Sequence, residues 1–175
     1  MRGVSGAARG REVPGIDMWW KKQPKDEHLV PHRNALNAMA RDLLKEAGLE
    51  FDKASPLEQA LVGTFLFGMI QTHGMANKLS PPEIHALALL VFKDTLHYSD
   101  SAAAQGVQEC INATDPKYHD TMHAILHRGI DGHRQYQEGD REGLSKNIVS
   151  ILNQFRKRRA NKITGAPTAT DERLF

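Results

Sequence analysis

Nine histidines in 175 residues make metal coordination the first chemistry to test. His119, His123, His127 and Asp131 recur at every fourth position, the spacing at which one helical face offers two ligands to one ion. At about 1.5 Å and about 100° per residue the stripe climbs ~18 Å and drifts ~120° along its length, so only adjacent members can share a metal. A closed site would also need ligands from other elements. Projection on a helix sets Tyr118, Met122, Ile125, Leu126, Gly129 and Tyr136 on the inward face. The histidine stripe lies opposite them and is expected to face solvent or a partner.

A second pattern is Asp94-Thr95-Leu96-His97 and Asp120-Thr121-Met122-His123, each a carboxylate-x-x-His read on its own helix. Di-metal carboxylate bundles join two Glu-x-x-His motifs with single glutamates from two further helices. Here the motif acid is the shorter aspartate. Glu58 and Glu83, the remaining candidates, are needed as helix caps. An oxidase or storage protein built on Asp94, His97, Asp120 and His123 is therefore kept only as an alternative. Cys110, the single cysteine, rules out an internal disulfide and falls on an apolar helical face, where a structural thiol is expected. No Gly-x-Ser-x-Gly, phosphate-cradling glycine loop or Cys-x-x-Cys occurs.

The elements that must position these groups are helices. Ser55-Pro56-Leu57-Glu58 and Ser80-Pro81-Pro82-Glu83 are two capping boxes, each with serine to cap, proline in the first turn and glutamate reaching back. They open the two central helices of the fold, expected from Pro56 to His73 and from Pro81 to Tyr98, both apolar over wide arcs. Gly63 and Gly68 in the first of them imply close approach by a neighbour. Leu36, Met39, Ala40, Leu43 and Leu44 mark an earlier helix from His32 to Ala47, stopped by Gly48. Asp100 to Asn112 is a fourth, with Val107, Cys110 and Ile111 inward. A fifth starts at the Asp115-Pro116 cap and runs at least to Arg128, with Gln137 as its far limit if it continues through Gly129 and Gly132. Asp140 caps a sixth, with Leu144, Ile148, Ile151, Leu152 and Phe155 on one face and Arg156-Lys157-Arg158-Arg159 at its end. The fold class is an all-α, single-domain bundle of five to six helices with two central capped helices.

That domain is expected over residues 18–160, between a Gly- and Arg-rich extension at 1–17 and a tail at 161–175, both outside the packed core. Met18 is an alternative start, and Trp19 or Trp20 is expected to dock on the bundle. Lys+Arg 23 against Asp+Glu 21 gives no global charge that would announce nucleic acid or membrane. No run approaches the ~18 apolar residues of a membrane span. A cytoplasmic protein is expected. Arg156 to Lys162 is the one basic cluster; it lacks interleaved aromatics, so a nucleic-acid-associated helical protein is a second alternative and nucleic acid is not expected as a partner.

Three runs carry a family resemblance: Glu58 to Met69, Leu79-Ser80-Pro81-Pro82-Glu83-Ile84-His85-Ala86-Leu87 on to Ser99, and His127-Arg128-Gly129-Ile130-Asp131-Gly132-His133. Over Glu58 to Tyr136 the chain resembles immunity protein family 48, small all-α proteins of bacterial polymorphic toxin systems. The resemblance implies a non-enzymatic protein that binds and neutralises one cognate toxin, by covering its active site or holding it inactive. It implies no cofactor and supplies no catalytic residues. On that reading the partner is expected to meet His119, Asp120, His123, His127 and Asp131, or the segment around Gly132 and His133.

Overall fold

The computed structural model describes residues 26–164, with side chains from 27 to 161. The expectations for residues 1–17, for Trp19 and Trp20 and for the last part of the tail lie outside the described residues. Within them the order is a single 3-10 turn, Asp26–Leu29, then α1 (Val30–Glu46), a second 3-10 turn, Phe51–Lys53, α2 (Pro56–Ala76), α3 (Pro81–Asp94), α4 (Asp100–Asn112), α5 (Asp120–Gln137) and α6 (Arg141–Thr164). The described residues hold these six α-helices and no strand. None of the helices is long and apolar enough to cross a membrane.

Both capping boxes form. The Ser55 backbone N–H donates to Glu58 at 2.9 Å and its hydroxyl to the same carboxylate oxygen at 2.7 Å. The Ser80 backbone and hydroxyl donate to Glu83 at 2.7 and 2.6 Å. Both carboxyl pKa values are drawn down to about 2, first by the serine hydroxyls and then by the serine backbone N–H groups. The box at Ser55 launches the helix that organises the core: every residue from Leu61 to Ile70 is buried. Burial of each such large apolar side chain stabilises the fold by about 1.5–3 kcal/mol, and so the remaining helices wrap α2.

Glycine sets how closely they wrap. A methyl group built on Gly68 would overlap the carbonyl oxygen of Leu126, and one on Gly129 would overlap that of Phe65. Thus α2 and α5 touch backbone to backbone. The close approach expected at Gly68 is present, whereas a side chain at Gly63 would meet only the Phe92 ring at an ordinary 3.7 Å. The seam between α1 and α3 is closed by side chains instead. Arg33 donates to both carboxylate oxygens of Asp94 at 2.6 and 2.9 Å, Asn37 donates to Asp94 at 3.1 Å, and Thr95 donates to Asn37 at 2.9 Å.

The two largest departures from the expected helix boundaries, at the end of α3 and the start of α5, each have a local cause. α3 ends at Asp94 rather than Tyr98, because His97 takes a left-handed φ of 55° and the Tyr98 N–H folds back to the Phe92 carbonyl at 3.2 Å. This closing turn keeps Leu96 buried, which is why the apolar pattern ran on past the helix. α5 begins at Asp120 rather than at Asp115-Pro116. The Asp115 side chain accepts the Lys117 N–H at 2.9 Å and its carbonyl accepts the Tyr118 N–H at 3.0 Å, closing a separate turn. Tyr118, expected inward, is 51 % exposed as a result.

Candidate functional site

His119 is the N-cap of α5, its ring Nδ1 accepting the Met122 N–H at 3.4 Å, and Asp120 is exposed in the first turn. One turn on, His123 is half-buried and donates from Nδ1 to the Ala113 carbonyl at 3.0 Å, which fixes its tautomer and leaves Nε2 as an acceptor. Its ring meets the exposed His127 ring edge to face, centroids 4.5 Å apart. Asp131 is exposed and pairs with Arg134 at 3.4 Å. His119 at the cap and Asp120, His123, His127 and Asp131 on α5 make up a ridge on its outer side, exposed except for the half-buried His123.

His133 departs from the set. Expected in the partner-facing segment, it is instead 6 % exposed, with its ring 5.9 Å from that of His73 on α2. Six positions after His127 along the helix is about 600°, a turn of ~120° away from the ridge and into the bundle.

The ridge runs between two concavities of different character. On the α2 side lies a groove of about 270 Å³ lined by Thr72, Met75, Thr114, His123, His127 and Ile130, among others. Its wall includes the exposed Met75 side chain, at 66 %. On the α6 side a shallower hollow of about 390 Å³ is lined by Arg128, Asp131, Arg134, Lys146 and Asn147. Here Arg128 is held rather than free. It donates to the Asn147 side chain at 2.5 Å, the Asn147 carbonyl at 3.1 Å and the Ser150 hydroxyl at 2.9 Å. The buried Asn147 amide donates in return to the Arg128 carbonyl and Gln135, at 3.1 and 3.0 Å. Gly68 and Gly129 fix α5 against α2, and this network fixes it against α6.

Sequence patterning missed Met75, because α2 was expected to end at His73, and missed the Arg128–Asn147 pair, because neither residue interrupts a helical period. The groove itself carries no sequence signal, being formed by residues from three separate stretches.

The carboxylate-x-x-His pairs are not brought together as a ligand set. Asp94 is engaged by Arg33 and Asn37, and the Arg33 hydrogen bond is the main cause of its lowered pKa. His97 lies beyond the end of α3, so this pair does not share one helix; its Nδ1 is 3.2 Å from Asp52. Among the described residues no three His, Cys, Asp or Glu side chains are grouped to hold a metal ion. Cys110 is buried, and burial pushes its thiol up to about 12, so it stays protonated. Within the basic cluster Arg156 donates to Glu58 at 2.7 Å and Arg158 lies over the Phe155 ring at 5.7 Å, while Lys157 and Arg159 are exposed.

The family model described as Immunity protein 48 matches residues 32–156, which takes in α2 to α5 completely and most of α1 and α6. No curated protein and no solved structure matches the chain.

Proposed function

The chain belongs to the Immunity protein 48 family, and we propose that it neutralises one cognate toxin of a bacterial polymorphic toxin system by binding it, without catalysis, along the outer ridge of α5. The observation that carries the choice of face is the groove beside that ridge. A 66 % exposed methionine and an edge-to-face histidine pair border it, and the helix behind them is locked to both neighbours. Flexible methionine fills irregular partner surfaces, and imidazoles add polar contacts at little desolvation cost when neutral. A pre-fixed backbone removes ordering cost from association. The partner is thus read as a toxin surface that inserts an apolar side chain into the groove and sets polar groups against His123, His127 and Asp131.

The test is co-expression with a candidate toxin, sought among the neighbouring genes. His123→Ala with His127→Ala, and separately Met75→Asp, are expected to abolish growth protection and weaken toxin binding by at least about tenfold. Thermal stability should shift by no more than about 4 °C, since Met75 and His127 are exposed and His123 gives up one partly buried hydrogen bond worth about 1 kcal/mol. Full protection by both variants would remove this face as the binding surface.

A further inference from the structure

Behind the ridge, three helices bring three imidazoles together. His32 from α1 and His73 from α2 face each other with Nδ1 and Nε2 3.1 Å apart and ring centroids at 5.3 Å. His133 from α5 meets the other side of His73, centroids 5.9 Å apart and edge to face. Its Nε2 is buried with no hydrogen-bond partner. Sequence spacing hides this cluster completely, because positions 32, 73 and 133 share no period.

The chemistry of the contact limits how many protons the closed form can hold. Two imidazole nitrogens at hydrogen-bond distance need one N–H and one lone pair between them. One proton added to the pair leaves the bond possible; a second makes both nitrogens donors and destroys it. His133 has no compensating acceptor at Nε2, so charging it would bury an unpartnered cation. The groups whose charge bears on His73 are His32 and His133, and the ring facing His133 is that of His73, with no carboxylate, lysine or arginine among the groups that shift either. Burial accordingly lowers the pKa of both rings, with the charges of His32 and His133 adding to the effect at His73.

We propose that His32, His73 and His133 form a proton-operated lock on the seam of α1, α2 and α5, closed when the rings are neutral and opened by proton uptake. The lock adjoins the proposed binding groove. Met75 follows His73 by two residues in the last turn of α2, and Ile130 precedes His133 on α5. Opening the seam in acid would therefore unmake the groove wall, a regulatory consequence that rests on the binding reading; the lock itself does not.

The sign follows from the lowered pKa values. The open form binds more protons than the closed form in the interval below the ordinary imidazole pKa of about 6.5. Closure is at full strength above that value and weakens as pH falls through it, levelling off once the closed form also titrates. With His73 and His133 both taking protons on opening, the opening constant rises by up to about 100-fold per pH unit.

Hydrogen exchange on the full chain alone, corrected for intrinsic rates, tests this. From pH 7.5 to 5.5 the amides of residues 70–76 and 130–136 are expected to lose at least tenfold in protection, with no comparable loss at residues 61–66. His73→Gln and His133→Leu should each flatten the response. Unchanged protection in the wild type, or an undiminished pH response in the variants, would overturn the lock. Ring-proton NMR of the wild type keeps the idea testable if a variant fails to fold: His73 and His133 must titrate below the ordinary imidazole value of about 6.5, and titration at or above that value refutes the proposal. Toxin affinity supplies the separate arm. No binding at pH 7.5 by a chain with a working lock would refute the binding reading alone, whereas acid-weakened binding restored in His133→Leu would support both.

Discussion

The α2–α5 and α1–α3 seams hold the same bundle together by opposite means. Between α2 and α5 the contact is made by the absence of side chains at Gly68 and Gly129, so that two backbones meet with no rotamer free to adjust. Between α1 and α3 the contact is a clasp of long polar side chains, Arg33 and Asn37 on Asp94, with Thr95 behind them. A glycine seam fixes position and tolerates nothing added. A polar clasp fixes orientation, exchanges with water, and tolerates loss. The helix carrying the proposed binding ridge sits on the first kind of seam, where rigidity benefits recognition.

The largest expected effect breaks the glycine seam. Gly129→Ala places a methyl group on the Phe65 carbonyl of the facing helix, and backbone cannot yield as a side-chain end can. Overpacking of this sort costs about 3 kcal/mol, which for a domain of this size lowers the melting temperature by ~10 °C. Alanine is ordinarily the better helix former by about 1 kcal/mol, so a stabilised variant would show that the seam is looser than described. Calorimetry decides between the two signs.

How much of this comparison was legible beforehand follows from the same physics. Helix count, the capped starts of α2 and α3 and the buried stripe of α6 were readable, since apolar period and serine caps are local properties. Gly68 signalled a close neighbour but not which helix it was. The end of α3 and the start of α5 were misplaced because a Schellman-type turn and an Asp-Pro turn each continue the composition of the helix beside them. The ridge on α5 was legible as a face, being one helix long. The groove, the Arg128–Asn147 network and the histidine cluster were not, because each is assembled from distant stretches, and His133 was assigned to the surface for want of its partner His73.

An intermediate effect belongs to the α5–α6 seam, which combines burial with polar fastening. Asn147→Leu keeps approximate volume but strips Arg128 and Gln135 of a buried partner. The expected loss is about 2 kcal/mol, the cost of leaving such groups unsatisfied, moderated because Arg128 can reach water. Urea unfolding measures it. A loss as large as that of Gly129→Ala would place this seam with the glycine contact rather than between the two kinds.

The smallest effect should come from the clasp itself. Asp94→Asn removes the charge while keeping shape, and the partly exposed carboxylate, 28 % at its side chain, sets the scale at about 1 kcal/mol for a bidentate pair near the surface. Arg33 is 42 % exposed and readily hydrated once released, which limits the penalty further. Because the Asp94 pKa is lowered in the folded protein, its contribution is present above the ordinary carboxyl value of about 3.9 and disappears as pH falls through the folded one. The wild type and Asp94→Asn should therefore differ in stability at pH 7, converge once acid protonates the folded carboxyl, and differ less in 1 M salt, where the Debye length shrinks to about 3 Å. A gap that persisted in acid and salt would mean that the α1–α3 seam relies on the shape of the clasp rather than its charge, and the contrast with the glycine seam would narrow to one of degree.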